Sequence, residues 1–145
     1  MRMRVSPSQQ FALVFAVLMF LAGCSAEEAT PVVAAKGIVK INGTAAANIM
    51  VRFVPDGKQE TGLISSTGIS DAEGRFQLVA SDGREGAVPG PGQILLTDTE
   101  EERPAQGEVS TKAPRLLPEH GVLGAASLAV TVVEGTDLAV DVKTR

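Results

Sequence analysis

SLAVTVVEGTDLAVDVK, residues 127–143, holds two alternating runs: Leu128, Val130 and Val132, then Leu138, Val140 and Val142. Small, polar or charged residues fill most of the positions between them. A side-chain period of two is that of a strand with one face buried, whereas an amphipathic helix repeats every 3.6 residues. Glu134-Gly135-Thr136-Asp137 stands between the runs with turn chemistry, so the spacing predicts a hairpin of two antiparallel strands.

The same period recurs upstream. In AKGIVKING, Ala35, Gly37, Val39 and Ile41 alternate with Lys36, Ile38 and Lys40, and Asn42-Gly43 makes a turn because both residues tolerate positive φ. In NIMVRFVPDG, Ile49, Val51 and Phe53 share one face and Pro55-Asp56-Gly57 ends the run, which makes Phe53 a core residue. GLISSTGIS is a weaker strand, and Asp71-Ala72-Glu73-Gly74 turns it into RFQLVA, with Phe76 and Leu78 inward; 62–79 reads as a hairpin. Residues 81–92, SDGREGAVPGPG, carry four glycines and two prolines and read as a loop, followed by the strand QILLTD with Ile94 and Leu96 inward. The segment 97–118, polar with three consecutive glutamates and three prolines, reads as a mobile loop. No stretch beyond residue 33 has capped helical periodicity. Seven short strands in residues 34–145 predict an all-β, two-sheet sandwich.

The N-terminus has a different pattern. MRMRVSPSQQ carries two arginines and no acid, and FALVFAVLMFLAG follows with thirteen uncharged residues, the n-region and h-region of an export signal. A transmembrane helix needs ~20 apolar residues, more than this run supplies. Leu21-Ala22-Gly23-Cys24 then resembles the lipobox of bacterial lipoproteins. The resemblance implies a signal peptide over 1–23 and cleavage between Gly23 and Cys24. It also implies a diacylglycerol thioether on the Cys24 sulfur and an acyl chain, such as palmitate, on its new amino group. Each buried methylene contributes ~0.8 kcal/mol and one chain holds only weakly, so two or three chains make a stable anchor. The competing cleavage, by ordinary signal peptidase after Ala26, would release a soluble protein. Residues 24–33, short, acidic and containing Pro31, read as a tether, with an edge strand as the alternative for Val32 to Ala35. Ser25 after the cysteine favours outer over inner membrane by the rule of Gram-negative lipoproteins.

Composition removes several kinds of activity. Without residues 1–23 the chain keeps 11 basic against 17 acidic residues, and the 11 do not cluster, which disfavours nucleic acid. There is no Trp or Tyr, and only Phe53 and Phe76 remain beyond the leader, too few for a sugar-stacking platform or aromatic cage. One cysteine permits no internal disulfide, and one histidine, His120, no ordinary zinc site.

Gly37-x-Val39-x-Ile41-Asn42-Gly43, Val51-x-Phe53-Val54-Pro55, Ser70-Asp71-Ala72-Glu73-Gly74-Arg75-Phe76-x-Leu78 and Gly86-Ala87-Val88-Pro89-Gly90 together resemble the carboxypeptidase-regulatory-like, transthyretin-like domain, as found in small planctomycete lipoproteins. The resemblance covers about 35–143. It implies a seven-stranded prealbumin-like Greek-key β-sandwich on the cell envelope. Two positions depart from the family: Gly92 stands where an aromatic is common, and Glu119-His120 where a tyrosine often lies. The hydrolase of this fold carries several histidines and a C-terminal Tyr-Arg-Gly-Ser, whereas this chain has one His and ends Asp-Val-Lys-Thr-Arg.

Candidate sites each have a plain alternative. His120 could serve as a base or switch but has no nucleophile motif beside it, and reads as an exposed loop residue. Asp71, Glu73 and Asp82 offer oxygens to calcium, yet no EF-hand spacing is present and turn chemistry explains them. AVPGPG lacks the Lys and following helix of a phosphate loop. Asn42-Gly43-Thr44 fits the glycosylation sequon, and a turn accounts for it. Glu100 to Glu102 would suit a basic partner or a solvated loop. The expectation is therefore a non-catalytic, lipid-anchored envelope protein without cofactor or metal, whose sandwich is structural or binds an envelope protein or glycan. The alternative is an accessory module that captures a protein, peptide or glycan with the 81–92 and 98–118 loops.

Overall fold

The computed structural model describes residues 29–57, 64–101, 106, 112–124 and 128–144. The leader, Cys24 and the Gly23–Cys24 bond lie outside the described residues. So do the start of the hairpin expected over 62–79 and the middle of the 98–118 loop. Nine strand segments form among the described residues: β1 (Lys36–Ile41), β2 (Thr44–Ala45), β3 (Ile49–Pro55), β4 (Ser66–Ile69), β5 (Arg75–Gln77), β6 (Val79–Ala80), β7 (Gly90–Asp98), β8 (Ala129–Val132) and β9 (Leu138–Val142). They make two sheets, one of β2, β1, β5 and β9, the other in the order β6-β4-β3-β7-β8. Pro118–Gly121 forms a short 3-10 turn.

The period-two faces are as expected. Along β3 Ile49, Val51 and Phe53 are buried, along β7 Ile94 and Leu96, and along β9 Leu138, Val140 and Val142. With Val39, Phe76 and Val132 these side chains form one core shared by both sheets. Phe53 is fully enclosed. Asn42 (φ 54°) and Gly43 (φ 81°) connect β1 to β2 as a two-residue turn of the primed type, with Ile41 opposite Thr44.

Both expected hairpins are rearranged. β8 pairs antiparallel with β7, whereas β9 pairs parallel with β1, Gly37 opposite Leu138 through Ile41 opposite Val142. The Glu134–Asp137 turn therefore carries the chain from one sheet to the other. Alternation specifies which face of each run is buried, and both faces are buried correctly; it does not specify which neighbour supplies the hydrogen bonds. In the 62–79 segment, Ser66 and Thr67 pair with Ala80 and Val79, but Arg75 to Gln77 pair with β1. The strand thus changes sheets at the buried Leu78, whose N–H donates to the Ala35 carbonyl at 2.9 Å.

The loop expected over 81–92 ends earlier, because Gly90, Pro91 and Gly92 already belong to β7. A Cβ at Gly92 would stand 2.5 Å from the Phe53 ring and from the Val54 carbonyl oxygen, so Phe53 fills the space beside this glycine. Val33, placed in the tether, exchanges two 2.9 Å backbone hydrogen bonds with Ala87, which starts the folded unit one residue before the expected boundary. Gly86 allows this approach: its φ is +116°, and a Cβ there would lie 2.0 Å from the Val33 carbonyl oxygen.

These registers define two ends of the sandwich. Val33, Lys36, Ala87, Gly90 and Val132 lie at one, and Ile41, Ala46, Asn48, Asp98 and Val142 at the other. The nine residues of β7 separate them by ~27 Å.

Candidate functional site

Residues Gly92, Ile94 and Leu96 of β7 are buried, and the next position in phase is Asp98, a carboxylate with a side chain 6% exposed. A charge on the core side of a strand is stable only with a partner and hydrogen bonds. Arg115 supplies both. Its Nε donates to Asp98 Oδ2 at 2.6 Å and its Nη2 to Oδ1 at 2.5 Å, a two-point fork. Its Nη1 donates to the Ala47 carbonyl at 3.1 Å, and Nη2 also lies 3.3 Å from Glu100 Oε2. Asn48, in the left-handed region at φ 59°, donates from Nδ2 to Glu100 Oε1 at 2.7 Å. The backbone N–H of Glu100 donates to Asp98 Oδ1 at 2.9 Å. The Arg115 guanidinium beside it holds the Asp98 carboxyl below the usual carboxylate range, against burial, and Asp98 in turn pushes Arg115 upward.

The clamp fixes a strap, residues 112–124, along the half of β7 that β8 leaves uncovered. β8 pairs only with Gly90 to Gln93. Leu116 and His120 are buried, and Gly124 N–H donates to Gln93 Oε1 at 2.9 Å. His120, expected to be exposed, is 6% exposed instead; its Nδ1 accepts the Leu117 N–H at 3.1 Å, closing the 3-10 turn. The imidazole therefore serves the strap. The mobility expected across 97–118 does not extend to Arg115 and Leu116, because polar composition hides the two side chains that dock.

Two concavities flank the clamp. A cleft of about 230 Å³ runs between the strap and β7, lined by Leu96, Thr97, Leu116, Leu117 and Pro118 among others. A wider depression of about 330 Å³ lies against Asn42, Thr44, Ala47, Arg115 and Thr144. Arg115 uses all three nitrogens on Asp98, Glu100 and Ala47, so the guanidinium is committed to the fold and is not available to an anionic ligand.

The other candidates are placed apart. Asp71 Oδ1 accepts the N–H groups of Glu73 and Arg75 at 3.0 and 2.8 Å, a turn-stabilising role, at the Asp98 end. Asp82 lies toward the opposite end, where the Arg84 guanidinium holds its carboxyl below the usual range through bonds of 2.8 and 2.6 Å. The three carboxylates thus do not converge, and among the described residues no three His, Cys, Asp or Glu side chains gather into a metal-binding group. Glu100 is paired rather than freely solvated. The 81–92 loop and the described start of 98–118 lead off opposite ends of β7.

The Asp98–Arg115 pair was missed by the sequence reading, although a signal existed: Asp98 continues the inward phase of Ile94 and Leu96, and Arg115-Leu116-Leu117 interrupts an otherwise polar segment. Among the described residues no helix is long and apolar enough to cross a membrane. Comparison with family models, curated proteins and solved structures gives no match to this chain.

Proposed function

We propose that the protein is a non-catalytic lipoprotein of the cell envelope, anchored through Cys24 to a membrane, the outer one by the Ser25 rule, with a prealbumin-like, carboxypeptidase-regulatory-like sandwich as its exposed part. The observation that carries the reading is the attachment of the chain at Val33–Ala87, one end of the sandwich, ~27 Å from the clamp at Asp98. Between Cys24 and Val33 lie nine residue steps, at most ~30 Å of chain. An anchor at Cys24 holds the domain by its Val33 end and turns the Asp98 end outward. The seven-strand count is supported if β5 and β6 are one strand that changes sheets and β2 is only the return arm of the Asn42-Gly43 turn. A non-catalytic role fits a histidine spent on a backbone bond and an arginine spent on Asp98.

Cells fed a clickable fatty acid test this. The wild-type protein takes up label and sediments with membranes, while Cys24→Ala does neither; an unlabelled wild type free in the medium would sink the proposal.

The capture reading survives in a narrower form, favoured by the cleft of about 230 Å³ between the strap and β7. It places binding of a peptide or glycan at the Asp98 end alone. Envelope cross-linking of the wild type and of Leu117→Glu, which charges that cleft, separates the two readings. Identical cross-linked partners would remove the cleft as a site.

A further inference from the structure

We infer that Asn42-Gly43 is a latent self-modification site, a deamidation hot spot that the end of β9 keeps closed. Asparagine followed by glycine is the pair most open to ring closure, since glycine has no side chain to hinder its own nitrogen. In that reaction the Gly43 backbone nitrogen loses its proton and bonds to the Asn42 side-chain carbonyl carbon. The carbon–Nδ2 bond breaks, and ammonia leaves with the proton. Water then opens the cyclic imide at either carbonyl, giving aspartate or isoaspartate at 42. Water is the only co-reactant, no electrons are transferred, Asn42 lines a solvent-open depression, and both residues are exposed.

Each atom the reaction needs is engaged by β9 or the residues just after it. The nucleophile is occupied because Gly43 N–H donates to Asp141 Oδ1 at 3.1 Å. The electrophile is gripped from both sides, Asn42 Nδ2 donating to Thr144 Oγ1 at 2.8 Å and Thr144 N–H donating to Asn42 Oδ1 at 2.9 Å. The backbone of Asn42 is held as well, its N–H donating to the Val142 carbonyl at 2.8 Å. With φ of 54° and 81°, the turn keeps both residues in the left-handed region, and ring closure requires the Asn42 backbone to leave it. The partners of these bonds lie about a hundred residues away in sequence and arrive only through the parallel β1–β9 pairing. Docking of β9 therefore sets the chemical lifetime of the turn.

The opposite assignment of the same contacts is also defined: Asp141 as a base that removes the Gly43 proton, and Thr144 N–H as the donor that stabilises the carbonyl oxygen. The choice between them rests on the backbone, because a turn held by β9 on both sides of the Asn42–Gly43 peptide keeps the reactants away from the ring. Mass spectrometry of the full chain at neutral pH, with isoaspartate counted enzymatically at residue 42, decides it. The wild type is followed folded and in urea, beside Asp141→Ala, Asp141→Asn and Thr144→Ala, each checked for folding by circular dichroism. Closure by β9 gives a folded rate at least about tenfold below the urea rate, corresponding to about 1.4 kcal/mol of added barrier. It also gives faster loss in Asp141→Ala and Thr144→Ala, and a near wild-type rate in Asp141→Asn, which keeps an acceptor oxygen. Equal rates folded and in urea overturn the inference, and so does a slower Asp141→Asn, the result expected of a catalytic base. If a variant fails to fold, the folded and urea rates of the wild type still decide.

Discussion

Replacing Arg115 with Met removes the guanidinium and leaves the side-chain stem, so packing is nearly kept while the clamp is cut. The Asp98 carboxylate, 6% exposed, then retains only the Glu100 N–H among the partners described above. Breaking a fully buried ion pair on one side costs ~3–5 kcal/mol. Here the Arg115 side chain is 30% exposed, so water reaches the vacated space and the expected cost falls to ~2–3 kcal/mol. For a domain of this size that is about 10 °C in melting temperature. The chain has no Trp or Tyr, so urea unfolding is followed by far-ultraviolet circular dichroism. Asp98→Leu combined with Arg115→Met removes both charges and is expected to recover most of the loss. The pH dependence has a definite sign. Asp98 is held below its ordinary value of 3.8, so the clamp stabilises fully above that pH and is lost as pH falls through the lower folded value. Arg115→Met should lack that acid loss. A single variant within ~0.5 kcal/mol of wild type, with an unchanged acid limb, would refute the reasoning.

Three further substitutions test the packing. Gly86→Ala strains a φ of +116° and pushes a methyl into the Val33 carbonyl, so it is expected to cost ~2 kcal/mol or more and to speed amide exchange at Val33 and Ala87. Gly92→Ala places a Cβ 2.5 Å from the Phe53 ring and should destabilise by ~1–3 kcal/mol, read by urea midpoint. Ser66 Oγ is buried with no hydrogen-bond partner, so Ser66→Ala should be neutral or raise stability by ~1 kcal/mol; a loss above ~1 kcal/mol would mean that the hydroxyl has a partner in solution.

The faces of the strands were legible because alternation is a local property, and Ile49, Val51, Phe53, Ile94 and Leu96 are buried as the pattern requires. The Asn42-Gly43 turn was legible for the same reason. What was not legible is non-local. The 127–143 segment reads as a hairpin by every local sign, yet its two strands find β7 and β1, partners tens of residues or a hundred away. The strap was obscured by averaging, since a polar, proline-containing stretch conceals the burial of Leu116 and His120. Asp98 was readable in principle, as a charge in phase with two core residues, and its partner was not, because Arg115 lies seventeen positions further along and no sequence period links the two.

The most direct test of the account is the intact mass and N-terminal identity of the protein extracted from its native membranes. The chain is expected to begin at Cys24 and to be heavier than its sequence by a diacylglyceryl group and one amide-linked acyl chain, with lipase or mild alkali removing only the two ester-linked acyl chains and leaving the glyceryl thioether and the amide-linked chain on that residue. A chain that begins at Glu27, carries no lipid and is recovered from the medium would contradict it.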